Sequence, residues 1–274
     1  MKRTPVAIAL VAFFIVALLA RPGALPLPGR EEATPTLVVF AAASLNEAFT
    51  DVGAAFEATH PGLEIAFNFA GSSVLAAQLA QGARADIFAS ADGRQMQAAQ
   101  AAGRIAGPVY HFAGNRLVVA VPSANPAGVA SLRDLARPGV LLVLAAPDVP
   151  VRAYTDRLLA QLAADPAYGE AYRQAVLNNV VSEEPNVRQV VAKIALGEVD
   201  AGIVYQTDVT PELADRVVAM PIPEAINPRA VYPIAVVAEA PHPALAQAFV
   251  AFVRSAAGQD ILARWGFVVP PYEP

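Results

Sequence analysis

Residues 38–50 constrain the fold of this chain more than any other stretch. They read V-V-F-A-A-A-S-L-N-E-A-F-T: an apolar run, three alanines, a serine, and then apolar residues at helical spacing. This order predicts a buried β-strand, a tight turn and a helix with Ser44 as its N-cap. A helix that starts at the carboxyl end of a strand presents free backbone N–H groups there, a geometry that suits a small anion. Serine caps many helices that bind nothing, so the motif needs support from the rest of the chain.

The same order of elements occurs again in the next segment. Residues 63–69 alternate in polarity as a half-buried strand does, and the small residues Ala-Gly-Ser-Ser follow at positions 70–73. A helical pattern then begins at Val74. We expect Ser72 to cap this helix and to face the same site as the first serine, with Ser73 as the alternative.

A third strand, at residues 85–90, leads into a helix that opens with Ala91 and Asp92. A carboxylate aimed at an anion would repel it, so we expect Asp92 to cap its own helix. The backbone N–H of Ala91 would then face the site. If the strands are parallel, the three helix starts lie along one edge of the sheet.

The second half of the chain continues the alternation of strands and helices. Asn186 is placed to cap a helix over residues 187–196, and a short apolar strand ends in Tyr205. The strand predicted at residues 231–237 contains Pro233, which has no N–H to donate and therefore indicates an edge strand or a bend. The alternation predicts the α/β class, with mostly parallel sheets flanked by helices.

The number of elements favours two lobes over one sheet. Segments 115–121 and 231–237 are candidates for crossings between the lobes. We therefore expect lobe 1 to comprise residues 36–115 plus 235–274 and lobe 2 to comprise residues 116–234. A ligand would bind in the cleft between the lobes, where the carboxyl ends of strands from both meet.

Composition excludes several functions. The 274 residues are 55% apolar and carry a net charge of −5, which favours a large core and argues against nucleic-acid binding. The absence of cysteine excludes disulfides, thiolate metal sites and cysteine nucleophiles. His60, His111 and His242 are far apart and lack the spacing of metal ligands. Because the predicted cleft offers no histidine base, cysteine or carboxylate pair, we expect a binding protein and not an enzyme.

The first residues have the features of an export signal. Lys2 and Arg3 precede an uncharged apolar run over residues 6–20, which is short for a membrane span and typical of a signal peptide ending near residue 20. Because the cleavage signal is weak, an uncleaved N-terminal anchor (residues 1–20) is the alternative. Residues 21–35 contain four prolines and several charges and are expected to form a flexible tether. In both cases the folded part would be exported, to the periplasm or to the outer face of the cell membrane.

Eight short motifs in the exported part resemble those of one family. In chain order they are F-A-A-A-S-L, F-A-G-S-S, A-D-I-F-A-S-A-D, D-V-P-V-x-x-Y, N-V-R-Q-V, A-G-I-V-Y-Q-T-D, Y-P-I-A-V-V and R-W-G-F. Together they are similar to the molybdate-binding proteins of ABC-type uptake systems, a branch of the type 2 periplasmic binding-protein fold. The resemblance implies a two-lobed protein that binds a tetrahedral oxyanion between its lobes and uses no cofactor.

The resemblance also implies six ligand-binding residues that offer neutral hydrogen-bond donors: Ser44, Ser72, Ala91, Val151, Val187 and Tyr205. The two serines would donate through hydroxyl and backbone N–H, the alanine and the valines through backbone N–H, and the tyrosine through its phenol. Val151 and Tyr205 come from the resemblance alone, whereas the other four positions lie at helix starts that the residues had already indicated.

One position departs from the family pattern. The family commonly has glycine after the residue that matches Val151, and here that position is Arg152. We expect Arg152 to be a solvated residue of the first helical turn. The alternative is that it restricts the approach of the backbone or places a positive charge near the anion.

The expected function is an extracytoplasmic solute-binding protein, acting as a monomer, that captures molybdate or tungstate and delivers it to an ABC permease in the membrane. Neither a bare metal cation nor nucleic acid is expected as a ligand. Two alternatives stay open: a binding protein for another tetrahedral oxyanion such as sulfate or phosphate, and an oxyanion sensor domain that feeds no transporter.

Overall fold

The structure of the protein is a computed structural model, and it describes residues 35–105 and 107–270. The expected export segment at residues 1–20 lies outside the described residues, and so does the expected tether at residues 21–35, apart from Pro35. Within the described ranges, no helix combines the length and the hydrophobicity that crossing a bilayer requires.

The described residues contain ten strands, arranged in two five-stranded sheets. Their bounds are β1 Thr36–Ala42, β2 Glu64–Ala70, β3 Ile87–Ala89, β4 Tyr110–Asn115, β5 Leu117–Pro122, β6 Leu142–Ala145, β7 Val180–Glu184, β8 Ala201–Tyr205, β9 Val217–Pro221 and β10 Ala230–Val236. The first sheet has the order β2-β1-β3-β10-β4 and the second has the order β7-β6-β8-β5-β9.

In both sheets most strands run in the same direction, as the sequence predicts, but each sheet is mixed because it also contains antiparallel pairs. In the first sheet β1 pairs in parallel with β2 and β3, whereas β10 pairs antiparallel with β3 and β4. In the second sheet β6 pairs in parallel with β7 and β8, whereas β5 pairs antiparallel with β8 and β9. Each sheet therefore holds one reversed strand, and in each case it is the strand by which the chain enters from the other sheet.

Eight α-helices and several short 3-10 turns connect the strands. The helices are α1 Asn46–Glu57, α2 Ser72–Ala80, α3 Gly93–Ala101, α4 Pro150–Ala164, α5 Gly169–Asn178, α6 Val187–Ala195, α7 Pro243–Val253 and α8 Ala256–Arg264. The 3-10 turns are Ala43–Leu45, Leu132–Ala136, Gln206–Asp208, Pro211–Leu213 and Glu224–Ile226. The predicted alternation of strand and helix is thus confirmed for β1 to β3 and for β6 to β8, whereas β4 and β5 follow each other without a helix.

Pro233 lies in a central strand, so the expectation of an edge strand is wrong. Its strand, β10, is paired on both sides, and the pairing with β4 shifts register between Tyr232 and Pro233. A proline is tolerated there because the irregular pairing does not require its missing N–H. The predicted irregularity is therefore present, although it is a break in register inside the sheet.

The chain passes between the sheets at two places that lie side by side. The first is the single residue Arg116 between β4 and β5, and the second is the segment 222–229 between β9 and β10. The side chain of Asn227 joins them, since it accepts from the N–H of Leu117 at 3.0 Å and donates to the same residue's carbonyl at 2.9 Å.

Helices cover both faces of the first sheet. On one face Phe40 and Phe88 belong to a buried cluster with Leu75 of α2. On the other face Phe49 of α1 and Phe249 of α7 pack with their ring centroids 6.2 Å apart. Helices α4 and α6 pack on the second sheet. Each Å² of apolar surface that is buried contributes about 25 cal/mol to stability. The packing of these helices on the sheets therefore holds in place the strand ends that the candidate site uses.

A buried carboxylate ties the first sheet to the start of α7. Asp86 has no exposed surface. Its carboxylate accepts from the backbone N–H of Val38 at 2.8 Å and from that of His242 at 2.7 Å. Removal of the carboxylate would leave two partly buried backbone donors without these partners, which is costly for stability.

Asp86→Ala should therefore lower the free energy of unfolding by about 2–4 kcal/mol, the cost of leaving buried donors unpaired. Urea denaturation monitored by circular dichroism measures this loss. The matched control is Asp215→Ala, because the Asp215 side chain is 83% exposed and its removal should change stability by less than about 0.5 kcal/mol. Equal losses in the two variants would contradict the role given to Asp86.

Candidate anion-binding site

One small cavity brings together all six residues that the sequence predicts as ligand-binding: Ser44, Ser72, Ala91, Val151, Val187 and Tyr205. Its volume, counted to the atomic surfaces and including its mouth, is about 220 Å³. Six further residues complete the lining: Ala42, Ala43, Gly71, Val149, Pro150 and Asn186. Only about 10 Å³ of this space would admit the centre of a water-sized sphere, so the cavity is nearly closed and has no room for a sugar or a peptide.

The lining residues of this cavity are all uncharged. They lie after the carboxyl ends of parallel strands in both sheets, where α2, α4 and α6 begin. The first N–H groups of a helix have no intrahelical partner, and the helix dipole gives that end a partial positive charge. The cavity is therefore surrounded by donors and by positive dipole ends, which is the arrangement that holds an anion without a cation.

Ser44 lines the cavity but does not cap a helix. It lies in the turn Ala43–Leu45, and the N-cap of α1 is Leu45, which makes no side-chain cap. The expectation of a serine cap was wrong because the hydroxyl has another partner: Ser44 Oγ lies 2.9 Å from Tyr232 Oη. The 3-10 turn makes the sharp change of direction after β1 without help from the serine side chain.

Ser72 is the first residue of α2, whose N-cap is Gly71, so it also makes no cap. Its hydroxyl oxygen accepts from the backbone N–H of Ala91 at 3.0 Å. The Ser72 proton therefore stays available, whereas the Ala91 N–H is already engaged by a protein group. Ser73, the alternative, does not line the cavity.

The two caps predicted around these residues are confirmed. Asp92 Oδ1 accepts from the N–H of Gln95 at 2.9 Å, so its carboxylate serves α3. Asn186 Oδ1 accepts from the N–H of Gln189 at 3.1 Å and caps α6. Val187 is then the first residue of α6. Val151 is the second residue of α4, which begins with Pro150.

Tyr205, at the end of β8, is 1% exposed, and its Oη is buried without any hydrogen-bond partner among the described residues. Burial raises the pKa of the Tyr205 phenol well above its ordinary value, so the group stays protonated. A buried phenol without a partner costs about 1–3 kcal/mol. Because this oxygen belongs to a residue that lines the cavity, a ligand with an acceptor atom would remove that cost.

Beside the cavity, a backbone segment that follows a strand of the first sheet lies close to one that follows a strand of the second. A Cβ atom placed on Gly71 would lie 2.4 Å from the carbonyl oxygen of Pro185, closer than real contacts allow. Glycine is therefore required at position 71 for this approach of two backbone segments. The starts of α2 and α6 are brought together by it.

Arg152 is neither solvated nor directed at the cavity, which corrects both expectations for it. Its side chain is 12% exposed and forms ion pairs with Asp156, at 2.9 Å, and with Glu183. It also donates to the carbonyl of Ala145 at 3.0 Å. The positive charge is thus neutralised by two carboxylates, and Arg152 is not among the residues that line the cavity.

Three groups beside the site were missed by the sequence reasoning. Tyr232 and Asn115 contact each other, with Asn115 Nδ2 3.4 Å from Tyr232 Oη. Asp208 has no exposed surface, and its Oδ2 accepts from the N–H of Tyr205 at 3.2 Å while its Oδ1 has no partner. Tyr232 and Asp208 lie inside the motifs Y-P-I-A-V-V and A-G-I-V-Y-Q-T-D, and that position was the available signal.

Asp208 is a titratable group behind the neutral lining. Burial raises the pKa of its carboxyl to about 7, against the lowering effects of Arg188 and of the N–H of Tyr205, while Glu47 raises it further. Arg188 in turn pairs with Glu47 and joins α6 to α1.

Among the described residues, no group of three or more histidine, cysteine or acidic side chains is placed to hold a metal ion. The donors of the cavity are hydroxyl and N–H groups, and such donors suit oxygen atoms that carry negative charge.

Comparison with known proteins shows which protein family the chain matches. The model of a family described as bacterial extracellular solute-binding protein matches residues 37–268. The molybdate-binding protein ModA of Mycobacterium tuberculosis is 43% identical over 242 residues, which cover 88% of each chain. ModA of Escherichia coli is 31% identical over 240 residues, covering 85% of this chain and 89% of the relative.

A solved structure shares the fold. The periplasmic molybdate-binding protein of Azotobacter vinelandii superposes with a TM-score of 0.72 over 85% of this chain and 99% of its own, at 18% identity. The expected two-lobed periplasmic binding-protein fold is thereby confirmed.

The buried carboxyl gives stability a defined dependence on pH. The pKa of Asp208 is about 7 in the folded chain and 3.8 in its ordinary state, so the folded state binds more protons between these values. Stability should therefore fall as pH rises from about 4 to about 7, by up to about 4 kcal/mol from this group. Urea denaturation of the wild type and of Asp208→Asn, at several pH values between about 5 and 8, measures the difference.

In Asp208→Asn the amide oxygen can still accept from Tyr205, so the variant removes the titration and keeps this bond. The wild type should lose stability relative to the variant as pH rises. Asp215→Asn, at an exposed position, should run parallel to the wild type. If the gap between wild type and Asp208→Asn stayed constant with pH, Asp208 would not be the titrating group.

Proposed function

This chain belongs to the family of bacterial extracellular solute-binding proteins, and we propose on that basis that it captures molybdate or tungstate for an ABC permease. Five donors would hold the oxyanion directly: Ser44, Ser72, Val151, Val187 and Tyr205. The N–H of Ala91, the sixth predicted donor, donates to Ser72 Oγ and would instead orient the Ser72 hydroxyl. Relatives named as molybdate-binding proteins at 43% and 31% identity support this choice of ligand.

The observation that carries the proposal is the unpartnered phenol of Tyr205. It is a buried neutral donor that lines a cavity without charged side chains. An anion whose atoms can only accept hydrogen bonds would satisfy it together with the N–H groups of Val151 in α4 and Val187 in α6. A cation would meet donors only, and an apolar ligand would leave them unpaired.

Selectivity would follow from size and from protonation. Molybdate and tungstate are similar in size and larger than sulfate, so a cavity matched to the first two would hold sulfate loosely. Hydrogen phosphate carries a proton that needs an acceptor, and a lining made of donors offers it none.

The chain would act outside the cytoplasm as a monomeric binding protein without catalytic activity. Residues 1–20 would direct export or anchor the chain, and residues 21–35 would act as a tether if they are retained. We propose that the two sheets mark two lobes with the ligand between them. Since all of β10 pairs in the first sheet, the second boundary is better placed within residues 222–229 than at 235.

Isothermal titration of the purified protein should show tight binding of molybdate and tungstate and much weaker binding of sulfate and phosphate. Ser44→Ala and Tyr205→Phe should each weaken molybdate binding by about 1–3 kcal/mol, because each removes a hydrogen bond to a charged ligand. On the affinity scale this is a factor of roughly 5 to 150.

Matched controls are Ser123→Ala, at an exposed turn, and Tyr168→Phe, at a half-buried position remote from the cavity lining. Both should bind molybdate as the wild type does. Sulfate or phosphate binding as tight as molybdate binding would overturn the choice of ligand. Unchanged affinity in both site variants would overturn the residue assignment.

A further inference from the structure

The phenol oxygen of Tyr232 lies next to the Ser44 hydroxyl and is the single polar atom of a buried aromatic side chain. The residue has no exposed surface. Its ring centroid lies 5.8 Å from that of Tyr205 and 5.6 Å from that of Phe267. Burial raises the pKa of the Tyr232 phenol well above its ordinary value, so the oxygen keeps its proton. Tyr232 therefore has one proton to donate and can accept in return.

Asn115 can only donate to that phenol. The Asn115 side-chain oxygen accepts from the N–H of Arg116 at 2.9 Å, which fixes the orientation of the amide. The amide nitrogen then faces Thr207 Oγ1 at 2.8 Å and Tyr232 Oη at 3.4 Å. An amide N–H₂ group has two protons and no acceptor capacity, so it occupies the accepting side of the phenol.

The phenol proton must then go to the other neighbour. Ser44 Oγ, at 2.9 Å, is the remaining polar atom within hydrogen-bond distance of Tyr232 Oη in the part of the chain that the structure describes. Once Ser44 accepts this proton, its own hydroxyl proton is left to point elsewhere. The cavity that Ser44 lines is the adjacent place for an acceptor.

We propose that Asn115 and Tyr232 are positioning residues that make the Ser44 hydroxyl a donor toward the bound oxyanion; this inference rests on the proposed function. The chain of donation runs from Asn115 to Tyr232, from Tyr232 to Ser44, and from Ser44 to the anion. It fixes the Ser44 hydroxyl as a hydrogen-bond donor in the site, because a hydroxyl that already accepts from Tyr232 is a poor acceptor for a proton on the ligand. The specificity for a fully deprotonated oxyanion is thereby set in part by residues that do not touch it.

A double-mutant cycle between Tyr232→Phe and Ser44→Ala tests the proposal, with tungstate as the titrated probe. Tyr232→Phe should weaken tungstate binding about tenfold in the otherwise wild-type chain, and by no more than about twofold in the Ser44→Ala chain. The ratio of tungstate to hydrogen-phosphate affinity should also fall in Tyr232→Phe, since the freed serine oxygen can then accept the phosphate proton. Mere loss of packing would not move this ratio.

Tyr154→Phe is the matched control for the cycle. The Tyr154 ring also packs on Tyr205, with centroids 6.2 Å apart, but its hydroxyl accepts from the N–H of Val231. Tyr154→Phe should change the affinity for tungstate by the same factor in the otherwise wild-type chain and in the Ser44→Ala chain. Thermal unfolding of each variant checks the fold. If Tyr232→Phe is unfolded, Asn115→Asp replaces it, because a carboxylate accepts the phenol proton and reverses the chain of donation.

The outcomes separate this proposal from the proposed function. If Ser44→Ala weakens binding but Tyr232→Phe has the same effect in both backgrounds, or none, the positioning role is overturned and the oxyanion site stands. If Ser44→Ala leaves tungstate binding unchanged, the site assignment fails and the positioning role fails with it. Strong coupling in the cycle, together with the loss of discrimination against hydrogen phosphate, supports both.

Discussion

The contact between Gly71 and the carbonyl of Pro185 sets the geometry on which the candidate site depends. The two backbones are so close that a Cβ on Gly71 would lie 2.4 Å from that oxygen. The next residue after Gly71 is Ser72, and Val187 follows Pro185 by two positions. One of these donors follows a strand of the first sheet and the other follows a strand of the second. The distance between them is therefore fixed by a contact that only glycine permits.

No charged side chain lines the cavity, and the arginines that follow Val151 and Val187 in the sequence are paired with carboxylates. Arg152 is held by Asp156 and Glu183, and Arg188 is paired with Glu47. The cavity itself is lined by neutral groups and by helix starts. Such a lining stabilises an anion through many modest hydrogen bonds, and it does not bind the ion through a full opposite charge that would have to be desolvated.

The sequence predicted the parts of this arrangement that depend on local pattern. Strand, small turn and helix recur with a regular spacing, so the helix starts and the caps at Asp92 and Asn186 could be placed from the residues. The direction of the hydrogen bonds at the Ser44 hydroxyl could not be predicted, because its partner Tyr232 is 188 positions away. The same holds for strand direction: β5 and β10 are reversed by the path of the chain between sheets, which local periodicity does not record. Asp208 was missed because its burial comes from packing that its neighbours in the sequence do not reveal.

A crystal structure of the protein with tungstate, with the tungsten atom located by its anomalous scattering, tests the oxyanion site most directly. We expect one tungsten peak in the cavity, with oxygen atoms within about 2.7–3.1 Å of the Ser44 and Tyr205 hydroxyls and of the N–H groups of Val151 and Val187. A tungsten peak elsewhere, with this cavity free of the ion, would contradict the site assignment.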